Sequence, residues 1–433
     1  MIKSILLVEC DNMAKFLICY YSDYGETMYD TLFGILRDHG NDVFRFNINC
    51  SAIAINYWGG KTKVIDDRCI DEIKVFNPDV VLNFNNSLPI EVYEVLQGCA
   101  KVCIIDADNP DTFWNKDYLL DHKDELFYLG LQSYSKQMYE SYLGSELKDN
   151  YLYFPPGTAV KNQKIEQDKN ISFIGSNFYP LDIPPGEDFY SQMGLDLYDA
   201  LKQNYYLTID EAKSICPHCS NVPWLLEKVR AYYVGQDRLK HMQLLVDLGF
   251  TFYGVRWWNH IAYYDFELAK CFDPTPKITL SDNQEVYNSS KISVNISHPQ
   301  AKSSFSWRVM DIMASNSCLL MEDKKDWRNL FEQYLSKETV NAIIYSDMYD
   351  MRNKAINLLN DDDLRKRCVA DLNNAIDQNG RWHHRLINLE KFLNTPIVYL
   401  ENNSPILKSY GLDADEAIVN DRLFKKRRFN FWR

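Results

Sequence analysis

The chain has 433 residues, 46% hydrophobic and 25% charged, with a formal net charge of −13. That length exceeds one typical core and fits two domains of roughly 170–220 residues each, and the acidic balance argues against nucleic acid as the general partner. No apolar run reaches the roughly 18 residues of a membrane span, and the opening Met1 to Glu9 is too short for a signal peptide, so the expected location is the cytoplasm. The eleven cysteines are odd in number, and Cys19, Cys103 and Cys318 sit in apolar strand-like runs. That pattern predicts reduced, buried thiols rather than a disulfide framework.

In chain order, Ile5–Val8 reads as an added edge strand and Lys15–Tyr21 as a short apolar strand. The second leads through Ser22–Glu26 into a helix carrying Leu32, Ile35 and Leu36. His39-Gly40-Asn41 closes that helix, because glycine accepts the left-handed backbone a C-terminal cap needs. Asp42–Phe46 is the next strand. This strand–loop–helix–Gly–strand order begins a Rossmann-like domain. Val80–Phe84, Val102–Ile105 and Leu126–Leu129 continue the strands, with a helix over Ile90–Leu96, and Tyr151–Gly157 closes the first half. Polar residues 161–170 read as an interdomain linker.

A second Rossmann-like start appears at Ile171-Ser-Phe-Ile-Gly175. An insertion rich in Tyr, Pro and Cys, about residues 179–228, interrupts it. A helix from Gln236 to Leu248 and a strand Phe250–Tyr253 follow. Next come a strand over Ile292–Ile296, a polar loop, a helix starting near Phe305 and a strand over Cys318–Met321. The domains are therefore 1–160, 171–394 and a C-terminal extension 395–433.

A strand–loop–helix–strand unit places its loop at the carboxyl edge of a parallel sheet, where nucleotides and phosphates bind. Arg308 and Asp311 lie three apart, so a helix puts both on one face. A guanidinium suits a diphosphate and a carboxylate suits a pair of ribose hydroxyls. Gly175 and Gly254 would let backbone approach the phosphates. His298 and Lys302, in the loop after the Ile292–Ile296 strand, Arg256 at a strand end before Trp257 and Trp258, and Arg238 at a helix start are further donor-site candidates. The alternative for each is structural: an Arg–Asp pair stapling its helix, solvated loop residues, an aromatic core with one surface cation.

The run Asn288–Ile292, with Phe305, Arg308, Val309, Asp311, Met313, Ala314, Leu319 and Leu320, resembles the donor-binding core of bacterial group 1 glycosyltransferases, particularly the spore-maturation-type branch. The resemblance covers residues 171–394 well and the first half in its order of elements. It implies an α/β chain of GT-B architecture, two Rossmann-like domains facing across a cleft. It implies ribose held at Asp311, phosphates near Arg308 and a donor bordered by the Gly175 turn. Two departures stand out: Ser303 replaces a Glu of the wider superfamily that contacts the donor sugar, and Asn316 replaces a Gly. The resemblance leans towards retention of anomeric configuration.

In the first half, Asp106-Ala-Asp108 carries the spacing by which the other large glycosyltransferase architecture holds Mn²⁺ against a donor diphosphate. It also resembles a stretch in the first domain of the spore-maturation family. The competing role is a carboxylate that binds acceptor or acts as general base, for which Asp106, Asp108 and, in the first loop, Asp23 and Glu26 are candidates. Cys216-Pro-His-Cys219 has the spacing of a redox pair or half a zinc site, but no second Cys-x-x-Cys exists to complete four ligands. Trp382-His-His-Arg385 matches a late pattern of the family, and adjacent helix positions face apart, which disfavours a chelate.

The last thirteen residues hold six Lys/Arg and four aromatics. They suit either the surface of an anionic bilayer, through residues 422–433, or a tail that packs its rings on the protein body. The expected function is transfer of a sugar from a nucleotide-diphosphate donor to a hydroxyl acceptor, a glycan or lipid-linked one, in bacterial surface polysaccharide or glycoconjugate assembly. No cofactor or metal is expected, since Arg308, with Arg256 or Lys302, can neutralise the leaving diphosphate. Two other readings are a metal-dependent glycosyltransferase using Asp106 and Asp108, and a non-catalytic scaffold of the same fold.

Overall fold

A computed structural model describes residues 13–20, 27–48, 52–54, 64–65, 67–110, 113, 115–176, 191–254, 258, 261–262, 265–275, 277, 279–401 and 404–405. The expected strand at Ile5–Val8 and the basic tail lie outside them. The chain divides into two compact units, residues 1–159 with 380–433, and residues 160–379.

The first unit is built on a parallel sheet. Its strands are β1 (Lys15–Tyr20), β2 (Asp42–Asn47), β3 (Val80–Phe84), β4 (Lys101–Ile105), β5 (Phe127–Gly130) and β6 (Tyr151–Tyr153), in the order β2-β1-β3-β4-β5-β6. Strands covered on both faces read as continuous apolar runs, and β1, Lys-Phe-Leu-Ile-Cys-Tyr, is buried from Phe16 onward. Helix α1 (Thr27–Asp38) ends as its sequence dictates. Gly40 takes φ +84°, its N–H donates to the Arg37 carbonyl at 2.8 Å, and Asn41 N–H donates to Leu36 at 3.1 Å, a Schellman cap. Helices α2 (Ile90–Leu96) and α3 (Ser135–Leu143) pack apolar faces on a core that includes Leu17, Val81, Val92, Ile104 and Tyr139.

The second unit repeats the plan. Strands β7 (Lys169–Ile174), β8 (Phe250–Tyr253), β9 (Ser290–Asn295), β10 (Cys318–Glu322) and β11 (Ile344–Tyr345) form a parallel sheet in the order β8-β7-β9-β10-β11. Hydroxyls cross its buried middle: Ser172 Oγ lies 2.9 Å from Ser293 Oγ, which accepts from Ser317 Oγ at 2.8 Å.

Three boundaries differ from the sequence reading. The 161–170 stretch is strapped onto the second unit rather than left as a free tether. Gln163 N–H donates to Asn288 Oδ1 at 2.9 Å, Gln167 Nε2 donates to the Ser290 and Asn316 carbonyls, and β7 starts at Lys169. The helix expected from Gln236 starts at Val222, so the insertion boundary near 228 falls inside it. Helices α4 (Gln192–Gln203), α5 (Ile209–Ile215) and the first turns of α6 (Val222–Gln243) share a small core of Leu197, Leu201, Leu225, Leu226 and Val229. Asn221 caps α6 by accepting from Trp224 N–H at 3.2 Å.

Residues 380–394, placed by sequence with the second domain, group with the first unit. Helix α9 (Trp382–Leu393) docks there with Trp382 close against Gly157, where an added Cβ would fall 2.8 Å from the indole. Arg385 Nε donates to the Pro156 carbonyl, and the Phe127 and Phe392 rings meet edge to face at 5.5 Å.

Candidate functional site

In an open parallel sheet, ligands bind outside the carboxyl ends of the strands where the strand order reverses. In the second unit that point lies between β7 and β9, since the chain passes from β7 to β8 on one side and returns to β9 on the other. Arg238 spans it. Its Nη1 donates to the Ser176 carbonyl beyond β7 at 2.5 Å, and its Nη2 to the Ile296 carbonyl beyond β9 at 3.5 Å. It sits inside α6 rather than at a helix start, 3% exposed. Burial, and then the charge of Arg308, lower its pKa to about 9, which leaves it cationic at neutral pH.

Helix α7 (Leu280–Asn288) leads into β9, and Arg308 opens the next helix, α8 (Arg308–Met313), which begins three residues later than the sequence places it and has only six residues. The turn before it is held by Ser306 Oγ donating to Asn295 Oδ1 at 2.7 Å. Arg308 Nη1 reaches the same oxygen at 3.5 Å. Both guanidiniums lie over the Phe173 ring, Arg238 at 5.6 Å and Arg308 at 5.4 Å. Burial lowers the Arg308 pKa, and the neighbouring Tyr287 and Asp311 oppose that shift. Asp311 therefore acts on Arg308 electrostatically from one turn along the helix.

His298, in the loop leaving β9, is held neutral. Burial lowers its pKa to about 3, and the charges of Arg238, Arg230 and Arg308 push the same way. Its Nδ1 accepts from Gln300 N–H at 3.1 Å, so the ring proton is on Nε2. Its ring meets Tyr205 edge on at 5.4 Å. Lys302 is exposed, with its ammonium 5.8 Å from the Tyr206 ring centre. Ser303 Oγ donates to Asp326 Oδ2 at 3.0 Å, which ties the loop to the helix after β10.

The two glycines have packing reasons of their own. A Cβ on Gly175 would lie 2.5 Å from the Phe173 ring, and one on Gly254 would collide with the Gly175 carbonyl oxygen. That oxygen accepts from Trp258 Nε1 at 2.8 Å. Arg256 lies outside the described residues.

In the first unit, Asp106 follows β4 and is 5% exposed. Its Oδ1 accepts from Leu131 N–H at 2.7 Å and its Oδ2 from Ser135 Oγ. Burial raises its pKa to about 7, against those two hydrogen bonds. Asp108 is exposed and pairs reciprocally with Asn85: its Oδ2 accepts from Asn85 Nδ2 at 2.6 Å and its N–H donates to Asn85 Oδ1 at 2.8 Å. Asp23 lies outside the described residues.

Among the described residues, one group offers three converging metal-ligand atoms, Asp237, His241 and Glu322, all within 4.8 Å of one another. Lys324 Nζ stands 3.1 Å from Glu322 and already brings a cation to it. Cys216 and Cys219 are free thiols; Cys216 is buried, and its Sγ donates to the Met193 carbonyl at 3.4 Å. On α9, His383 is pushed down to about 3 by burial.

Sequence reasoning missed Asn295, Phe173, Arg230 and Tyr205. An Asn inside the strand-like segment Ile292-Ser-Val-Asn-Ile296 was the available signal for the first. The others reach the site only through the sheet order and the insertion.

Residues 235–391 match the sequence profile of a family described as glycosyl transferase-like. No curated protein matches the chain. Among solved structures, T4 phage β-glucosyltransferase in complex with its UDP-glucose substrate is similar over 88% of this chain and 99% of its own, with TM-score 0.50 and 10% identity. A second structure of that enzyme gives TM-score 0.50 at 11% identity over the same shares. TarM of S. aureus, in complex with UDP among other ligands, is similar over 76% of this chain and 58% of its own, with TM-score 0.44 and 12% identity. The likeness to the T4 structures shows the fold: an α/β chain of GT-B type with two Rossmann-like domains.

Proposed function

We propose that this chain is a glycosyltransferase that moves a sugar from a nucleoside-diphosphate donor to a hydroxyl acceptor, with the donor held by the second unit. One observation carries the reading. The reversal point of the β8-β7-β9-β10-β11 sheet, the place where such sheets take nucleotides, is lined by Arg238 and Arg308, and the charges of Arg238, Arg230 and Arg308 all act on His298 there. A positive field in a half-buried site stabilises an anion, and a leaving diphosphate is one. Arg308 is the contacting cation, because Arg238 is the more deeply buried of the two and its Nη1 and Nη2 each donate to a backbone carbonyl. Asp311 accepts from the ribose hydroxyls. His298, neutral and protonated on Nε2, donates from a fixed position. The matched glycosyl transferase-like family and the UDP-glucose-binding T4 enzyme support the same class.

The first unit takes the acceptor. Asp106, with a pKa of about 7, is the better base there, being half ionised near neutrality; the exposed Asp108 is the alternative. Arg308, with Arg256 or Lys302, neutralises the leaving group without a metal, and the configuration is retained. The reading extends to the spore-maturation branch, to a glycan or lipid-linked acceptor in bacterial surface assembly, and to a cytoplasmic protein whose residues 422–433 touch the inner membrane face. Among the described residues no helix is long and apolar enough to cross a membrane.

Calorimetric titration with UDP, GDP, CDP and dTDP tests the core of this. At least one should bind in the micromolar range, and Arg308→Ala should weaken it by about 10- to 100-fold. Absence of binding by all four removes the proposal.

A further inference from the structure

We propose that the helical insertion adds a sugar-binding ledge to the donor site, formed by Tyr205 and Tyr206, against which the glycosyl group of a nucleoside-diphosphate sugar stacks; this rests on the diphosphate reading above. The two tyrosines join α4 to α5, yet neither belongs to the small leucine-rich core that holds those helices together. Both are half-buried. Both reach the loop that leaves β9, and Tyr205 also meets the Tyr233 ring of α6 at 6.4 Å. Tyr206 Oη donates to the Gln300 carbonyl, with the Lys302 ammonium 5.8 Å from its ring centre. Tyr205 meets the His298 ring edge on at 5.4 Å and carries the Arg230 guanidinium over its ring at 5.7 Å. Arg230 in turn donates to the Leu207 carbonyl at 2.7 Å, which fixes the ledge from behind. The two rings stand at 90° with centroids 5.8 Å apart and form a corner.

The chemistry of the donor places its sugar at this corner. A glycosyl group is bonded to the terminal phosphate, so it lies about one ring's width from the cations that hold the diphosphate. His298 links the two, since the charges of Arg238 and Arg308 act on it and the Tyr205 ring meets it edge on at 5.4 Å. Rigid aromatic faces offer the C–H face of a pyranose a large contact at low entropic cost, and phenol and imidazole tips reach its hydroxyls.

The test is a pair of titrations on wild type, Tyr205→Ala, Tyr205→Leu and Tyr205→Phe. The ligands are UDP with UDP-glucose, and GDP and dTDP with their glucose conjugates. Loss of the ring should weaken the nucleotide-sugar about 10-fold while leaving the nucleoside diphosphate within about two-fold, and phenylalanine should restore most of the loss. Tyr205→Leu keeps apolar bulk, so it separates stacking from packing. Equal weakening of both ligands would make Tyr205 a staple of the loop and overturn the ledge, as would unchanged affinity for the sugar conjugate. Wild type that binds nucleoside diphosphate while the sugar arm fails leaves the broader reading standing; wild type that binds neither removes both.

Discussion

The guanidiniums of Arg238 and Arg308 share one aromatic ring, that of Phe173, at 5.6 and 5.4 Å, although the two arginines come from different helices. Their roles separate by burial and by partner. Arg238 is deep and ties two strand ends together; Arg308 is half-buried and touches one side-chain oxygen. Arg238→Ala should cost about 2–4 kcal/mol of stability, because it strips the carbonyls of Ser176 and Ile296 of a donor. Arg308→Ala should leave the melting temperature within a few degrees and lower nucleoside-diphosphate affinity by about 10- to 100-fold. Thermal denaturation with calorimetric titration distinguishes the two. Equal effects on both quantities for both variants would contradict the division.

His298 should not titrate near neutrality. Its folded pKa, about 3, lies below that of an ordinary imidazole, so the native state resists the proton that the unfolded chain takes up. Stability should therefore fall as pH drops below about 6.5, and His298→Gln should flatten that part of the slope. NMR of the imidazole checks this directly: a midpoint between pH 6 and 7 would refute it.

Asp106 carries the opposite sign. Its folded pKa, about 7, stands above the ordinary carboxylate value, so its contribution favours the fold at low pH and is lost as pH rises towards 7. Asp106→Asn should make the protein more stable relative to wild type at pH 8 than at pH 4. If Asp106 is the base, the same variant should lower kcat by about 10²- to 10⁴-fold, and the wild-type rate should rise with pH through about 7. Full activity in Asp106→Asn would leave Asp106 as the carboxyl that caps Leu131 and Ser135.

Gly254→Ala tests the glycine contact. The new methyl would meet the Gly175 carbonyl and the Trp258 indole, neither of which is the far end of a flexible chain. A loss of about 1–3 kcal/mol is expected on thermal unfolding. A neutral variant would show that the two strand ends can part.

The parts legible from the chain are those set by neighbours in sequence. Apolar runs gave the strands β1, β3 and β10, because a strand buried on both faces needs little else. The cap at His39-Gly40-Asn41 was readable because a left-handed residue is a local requirement. Arg308 and Asp311 could be paired because three residues make nearly one helical turn. Less legible were the boundaries. Helix α6 runs unbroken from the insertion into the domain, so no composition change marks residue 228, and Trp382 chose Gly157 for its seat, a contact more than two hundred residues away.

Local pattern thus settled the main strands of both sheets and which residues bear charge, while the helices α4 and α5 of the insertion were not read from it. Convergence was decided in three dimensions. Arg238, Phe173, His298 and Arg308 meet because β7 and β9 are neighbours in the sheet while β8 and a helical insertion intervene along the chain. Sheet order depends on which apolar faces bury one another, a long-range balance that no short window of sequence contains. The same balance moved Arg238 from an expected helix start to a buried brace, and brought two tyrosines of the insertion to the site.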